Sequence, residues 1–186
     1  MTVAILPGKV IAETPRLQLH AMSDRDDADA ALMLALLNDP AFIRHIADRG
    51  VRTLDQARDY LRDGAVRSYA EHGFGMYAIR RRDSGALIGN CGLIRREGLD
   101  APDLGYALLP GHAGQGFALE AARAVIADAG GRLALTRLRA IVNPDNVASI
   151  GLLQKLGFEF DRMIVLPHVA HPLDLFHLHL PTEAAA

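Results

Sequence analysis

Residues 103–121 read DLGYALLPGHAGQGFALEA, and the order of elements within them decides the fold. An apolar run over 104–109 stops at Pro110. A loop dense in glycine follows, with Gly111, Gly114 and Gly116. Phe117 then opens a segment in which Leu119, Ala122, Ile126 and Ala129 recur at helical spacing. A strand, a glycine loop and a helix start together make a cradle for phosphate. The first N–H groups of a helix have no partner inside it, and the aligned peptide dipoles place partial positive charge there. Glycine lets the main chain turn tightly and approach a ligand closely. A carrier bearing a diphosphate is the expected ligand. The plain alternative is a glycine-rich connection that binds nothing.

Two common phosphate loops do not fit. A P-loop requires G-x-x-x-x-G-K-S/T, and no Lys follows these glycines, which sets aside a nucleotide triphosphatase. The dinucleotide fingerprint requires G-x-G-x-x-G near the start of a doubly wound domain. Here Gly114-Gln115-Gly116-Phe117-Ala118 is G-x-G-x-A, past the middle of 186 residues, with too little chain after it. A nicotinamide-dependent oxidoreductase is set aside on that ground.

At this length a single domain spanning 1–186, with its core over about 13–180, is expected. Half of the residues are apolar, enough for a substantial core. The net charge of −2 lacks the basic excess of a nucleic-acid binder, and no Trp is present to stack on bases. Cys91 is the only cysteine, so no internal disulfide can form. The first ten residues are too short and too weakly charged for a secretory signal. No run of about 18 apolar residues occurs, so no membrane partner is expected and a cytoplasmic location is.

Residues 15–20 alternate and read as a strand. Ser23 or Asp24 can cap a helix to about 37, stopped by Asn38-Asp39-Pro40. Thr53 can cap a second helix to about 68, weakened by Gly64. Residues 75–80 and 87–93 form a hairpin across Arg82-Asp83-Ser84-Gly85, and 104–109 are a fourth strand. The helix from Phe117 ends at Gly130-Gly131, and 138–142 are a fifth strand. Asn143, with Pro144 after it, caps a further helix carrying Val147, Ile150 and Leu153 on one side. Gly157 ends it, and 158–165 and 173–180 supply the last two strands. The fold class is α/β, of α+β character, with a mixed, mostly antiparallel sheet of about seven strands flanked by helices.

With these elements in order, the chain resembles the GNAT N-acetyltransferase superfamily, and within it the RimJ/RimL-like branch of ribosomal-protein N-terminal acetyltransferases. Three pieces carry the resemblance. Thr14-Pro15-Arg16-Leu17-Gln18-Leu19 is similar to that branch's T-x-R-L-x-L opening. Leu104-Gly105-Tyr106 running into Gly114-Gln115-Gly116-Phe117-Ala118 is similar to its I-G-Y and G-x-G-Y-A segments. Asn146 and Ser149, followed by Lys155-Leu156-Gly157-Phe158, match N-x-x-S-x-x-x-L-x-x-L-G-F, the most specific of the three. The resemblance implies the acyl-CoA N-acyltransferase fold. It also implies direct transfer of acetyl from acetyl-CoA to a primary amine, on a protein N-terminus or a small molecule. Neither a metal nor a covalent enzyme intermediate is implied, and the protein would be a monomer or homodimer. The alternative is a non-catalytic module that binds acyl-coenzyme A.

The resemblance also assigns residues. His112, Ala113, Gly114, Gln115, Gly116, Phe117 and Ala118 would hold the pyrophosphate of coenzyme A, although Ala113 stands where the family pattern R/Q-x-x-G-x-G/A has Arg or Gln. Main-chain groups of Leu108 and Leu109 would pair with the pantetheine arm, and an N–H near Leu109 would stabilise the oxyanion. Asn146 would face the arm, with Asn143 close by and equally suited to capping a helix. Leu153 occupies the place of a Tyr that often meets the leaving thiolate. Ser149 is the expected donor to the sulfur, or else an ordinary polar helix residue. Asp103 matches an acidic position that could take the amine proton; the alternative is a carboxylate in solvent. Lys155 and Arg123 would approach the adenosine phosphate or face water.

The acceptor is open. A Lys side-chain amine is about one part in 10³ neutral at pH 7, costing roughly 4–5 kcal/mol, against about 1 kcal/mol for an α-amine. Without a strong base, an α-amine or small-molecule amine fits better. His168, His171, His177 and His179 cluster near the C-terminus; solvent or core histidines explain them better than a metal site. The arginines and aspartates over 44–67 read as a mixed-charge surface.

Overall fold

The computed structural model describes residues 4–167, 169 and 171–181. Its centre is one eight-stranded sheet in the order β1-β2-β3-β4-β5-β6-β8-β7. The strands are β1 (Val10–Glu13), β2 (Leu17–Ala21), β3 (Met76–Arg81), β4 (Leu87–Ile94), β5 (Asp103–Leu108), β6 (Arg137–Val142), β7 (Glu159–Ile164) and β8 (Leu173–His179). Every neighbouring pair is antiparallel except β5 and β6. The sequence predicts about seven strands. The eighth is β1, a short VIAE edge segment without alternation, paired to β2 through an irregular register.

Strand alternation sends side chains to two cores. On one face Leu17, Leu19, Tyr77, Cys91, Leu104 and Leu138 pack under α5 (Phe117–Gly130), which buries Phe117, Ala121, Ala122, Val125 and Ala129. The buried stripe of α5 is turned slightly from the expected one, so Leu119 and Ile126 are only partly covered. On the other face Met22, Ala78 and residues of α1 (Asp27–Leu37) and α3 (Leu54–Leu61) form the second core. A fully buried Leu such as Leu36 or Leu61 contributes about 1.5–3 kcal/mol.

The caps depart from the sequence expectation in three places. Asp26, not Ser23 or Asp24, caps α1 by accepting from Ala28 N–H. Asp39-Pro40 ends α1 and also starts α2 (Pro40–His45), with Asp39 as its cap. Asn146, not Asn143, caps α6 (Val147–Lys155), and Val147 is 76% exposed rather than on the buried side. Thr53 and Gln56 form the reciprocal capping box of α3. Past Leu61 the helix widens into a π turn over Arg62–Val66, around Gly64, and resumes as α4 (Arg67–His72). Close packing within the sheet is enforced at Gly92, where a Cβ would sit 2.1 Å from the Gly75 carbonyl oxygen.

Candidate active site

Strands β5 and β6 share a single register pair, Asp103 with Arg139. Beyond it the ladder stops. Where a continued ladder would offer Ile141 N–H a main-chain carbonyl of β5, that N–H donates to Asp103 Oδ1 at 3.1 Å. Arg96 Nε donates to the other oxygen, Oδ2, at 2.5 Å. Asp103 is 1% exposed, and burial pushes its carboxyl above the ordinary range even though Arg96 opposes the shift. The alternative of a carboxylate in solvent is therefore overturned. With both oxygens engaged, the geometry fits a brace at the base of a fork better than a free base.

The fork leaves one edge of β5 open. Leu109 N–H donates to Ile88 O on the β4 side at 2.8 Å, while Pro102 O accepts from Arg139 N–H on the β6 side at 2.8 Å. Alternation then turns the main-chain groups of Tyr106 and Leu108 toward the open side. The expected oxyanion donor at Leu109 is corrected on this ground: its N–H is already taken, and the amide facing the cleft is that of Leu108.

The glycine loop closes the end of this edge. Gly111, Gly114 and Gly116 all have φ between 73° and 84°, the left-handed region that glycine enters without strain. Among the described residues, the N–H groups of Ala113, Gly114, Gln115 and Gly116 have no protein acceptor. Those of Phe117, Ala118 and Leu119 form the first turn of a 14-residue helix and have none inside it. His112 N–H is spent on Leu109 O at 3.3 Å. A cleft of about 1490 Å³ runs from this loop past Tyr106, Leu108, Asn143, Asn146, Ser149 and Lys155 to the α1 face of the sheet.

An open strand edge ending in a loop of free amides suits an elongated ligand with amides along it and phosphates at one end. The sequence model of the acetyltransferase (GNAT) domain matches residues 16–159. This chain belongs to the GNAT acetyltransferases. An uncharacterized N-acetyltransferase of Bacillus subtilis (strain 168), YoaA, is 31% identical over 155 residues, 83% of this chain and 85% of that one. The GNAT fold is shared with an acetyltransferase from Agrobacterium tumefaciens str. C58, at TM-score 0.73 and 23% identity, covering 91% of this chain and 94% of that one. It is also shared with the ribosomal L7/L12 alpha-N-protein acetyltransferase RimL in complex with coenzyme A. There the TM-score is 0.77 and the identity 18%, covering 92% of this chain and 98% of that one.

Two departures from the GNAT pattern find structural answers. At Ala113 the loop lacks its usual Arg or Gln, and Arg16 braces it instead. Arg16 Nη1 donates to Gln115 O at 2.9 Å, and its Nε pairs with Glu120 Oε2 at 2.6 Å. Its guanidinium lies 4.5 Å from the centre of the Phe117 ring. Thr14 Oγ1 fixes Glu120 Oε1 at 2.6 Å, and Gln115 Nε2 donates to Gly111 O at 2.7 Å. Arg16 therefore gives the T-x-R-L opening a job 99 residues further along the chain.

At Leu153, buried in the core, no phenol is present. Tyr106 supplies one from β5: its hydroxyl lies 2.7 Å from Ser149 Oγ and 3.2 Å from Ser149 O. Burial pushes the Tyr106 phenol up to about 12. Tyr106 was legible as part of Leu104-Gly105-Tyr106, and alternation along β5 places it on the Ser149 side.

Asn146 Oδ1 accepts Ser149 N–H at 3.1 Å, which orients Ser149 on the first turn of α6. Asn143 lines the cleft one turn earlier, and its carbonyl accepts Asn146 N–H at 2.9 Å. Lys155 is exposed on the cleft rim, while Arg123 lies with Arg16 and Gly116 around a smaller hollow of about 580 Å³. Across the mouth, Arg44 of α2 reaches Asp145 of the β6–α6 turn at 3.8 Å. His171 lines the cleft, and the rings of His177 and His179 pack edge to face at 5.3 Å. His168 lies outside the described residues. Cys91 is fully buried in the core, and burial holds its thiol protonated.

Proposed function

We propose that this chain transfers acetyl from acetyl-CoA directly to a primary amine. The observation that carries the reading is the open β5 edge leading into unpaired amides at residues 113–116. Those amides and the first turn of α5 suit a pyrophosphate, and Tyr106 and Leu108 suit the amides of the pantetheine arm. The bound thioester supplies the acetyl group and a thiolate leaving group. Leu108 N–H donates to the carbonyl oxygen as negative charge develops on it. As the C–N bond forms and the C–S bond breaks, the Tyr106–Ser149 hydroxyl pair donates to the sulfur. With its phenol near 12, Tyr106 stays protonated at neutral pH and serves as a donor.

Asp103 holds the fork in this reading, and the surplus amine proton leaves to water. An α-amine, neutral at a cost of about 1 kcal/mol near pH 7, is the favoured acceptor. A cytoplasmic setting belongs to the same reading. The test is release of free thiol from acetyl-CoA against a panel of α-amines, polyamines and lysine peptides. Turnover with α-amines is expected. Coenzyme A binding without turnover on any amine would support a non-catalytic module instead.

A further inference from the structure

Asn90 sits on β4 and is 4% exposed. Its Nδ2 donates to Met33 Sδ at 3.5 Å, and this contact orients the side-chain amide. Its Oδ1 is buried and accepts no hydrogen bond among the described residues. A buried carbonyl oxygen left without a donor is uncommon in folded chains. Here the oxygen belongs to a side chain that lines the cleft, together with Met22, Met33, Leu36, Phe42 and Met76. Those five neighbours are all apolar. Methionines adapt their shape to a ligand more readily than branched side chains do.

The place of Asn90 relates it to the transfer site. It is the cross-strand partner of Ala107, so it lies one strand spacing, about 5 Å, from the open edge of β5. Tyr106 and Ser149 serve the α5–α6 face of that edge, whereas Asn90 serves the α1 face. A group held by Asn90 therefore meets the edge from the side opposite the leaving sulfur. Arg44, Arg49, Arg67, Arg95, Arg96 and Lys155 line the cleft against Asp39, Asp63, Glu71 and Asp103, with Arg67 paired to Glu71 and Arg96 to Asp103; the remaining basic balance disfavours a polycation.

We infer that Asn90 Oδ1 receives an N–H of the acceptor, and that the acceptor is a primary amine carried on an apolar body seated between α1 and the sheet. This deepens the acetyl-transfer reading and rests on it for the identity of the bound group as an acceptor.

The test uses 2-phenylethylamine, with spermidine as a polycationic counter-probe, titrated into the full chain saturated with coenzyme A. Phenylethylamine should bind at least tenfold more tightly than spermidine. Asn90→Leu should weaken phenylethylamine binding at least tenfold while leaving coenzyme A affinity within twofold. Asn90→Asp, which keeps an acceptor oxygen, should retain binding. In the wild-type protein the side-chain amide signal of Asn90, followed by ¹⁵N NMR, should shift when the amine is added. Equal amine binding by Asn90→Leu, a preference for spermidine, or no amine binding to the loaded wild type overturns the inference. If Asn90→Leu also loses coenzyme A, the wild-type signal decides: a shift supports the inference and its absence overturns it. Asn90-dependent amine binding without thiol release defeats acetyl transfer and leaves this site standing. Undiminished thiol release by Asn90→Leu does the reverse.

Discussion

The Tyr106 hydroxyl lies 2.7 Å from the Ser149 hydroxyl, joining β5 to α6 across the cleft. One residue comes from a strand and the other from a helix 43 positions later, so the pair exists only once the fork is formed. Tyr106→Phe should lower kcat about tenfold, the worth of one hydrogen bond of about 1.4 kcal/mol to developing charge. The dissociation constant of coenzyme A should change less than threefold. Ser149→Ala should act similarly. The double variant should fall well short of the product of the two losses, since the hydroxyls act as a unit. Steady-state thiol release and calorimetry separate these outcomes.

The pH behaviour of the same pair has a definite sign. Tyr106 is raised to about 12 in the folded chain from an ordinary value of 10.0. Its contribution to stability is present in full below pH 10 and is lost as pH climbs through about 12. Between pH 6 and 9, Tyr106→Phe should therefore lower the rate without changing the shape of the pH–rate profile. A profile recorded for both proteins checks this.

Arg16 should matter to the carrier rather than to the chemistry. Arg16→Ala removes the contacts to Gln115 O and Glu120 and leaves only Arg81 over the Phe117 ring. Acetyl-CoA should bind about tenfold more weakly, with kcat at saturation reduced less than threefold. Titration calorimetry beside saturation kinetics reads the split.

Two glycines should respond in opposite directions to alanine. At Gly116, φ is 79° and a Cβ would meet Arg16 Nη2 at 3.3 Å. Gly116→Ala should destabilise the fold by about 1–2 kcal/mol and weaken coenzyme A binding. At Gly64 no atom lies within 4 Å of an added Cβ and the position is helical. Gly64→Ala should stabilise by about 0.5–1 kcal/mol. Urea denaturation of both variants tests the contrast.

Asp103 gives a prediction on stability against pH. Its folded-state pKa lies above the ordinary value of 3.8, chiefly through burial. A group raised in this way contributes most at low pH and loses that contribution as pH rises through its folded value. Asp103→Asn keeps an oxygen for Ile141 N–H but does not titrate. Relative to wild type, the variant should gain stability as pH rises above the ordinary carboxylate value of 3.8. Denaturation midpoints at several pH values would show it.

Most of the sheet and both long helices of the α5–α6 side were legible in the sequence, because hydrophobic period and glycine position agree there. β1 escaped because four residues at a sheet edge carry no period. α2 escaped because Asp39-Pro40 is a stop and a start at once, and the first role hides the second. Asn143 lost the cap to Asn146 because the chain makes a turn after Pro144 before it becomes helical. At the cleft, Ser149 and the glycine loop could be placed from motif order. Three relations depended on three-dimensional pairing that no spacing encodes: Leu109 N–H spent on Ile88, Asp103 bracing Ile141, and Arg16 reaching Gln115.

A crystal structure of the chain grown with coenzyme A puts the placement of the carrier along β5 to the test. Pyrophosphate oxygens are expected within about 3.2 Å of main-chain N–H groups between Ala113 and Ala118. The sulfur is expected within hydrogen-bond reach of the Tyr106 and Ser149 hydroxyls. Coenzyme A bound with its pyrophosphate away from that loop, or with its sulfur on the far side of β5 from Ser149, would contradict it.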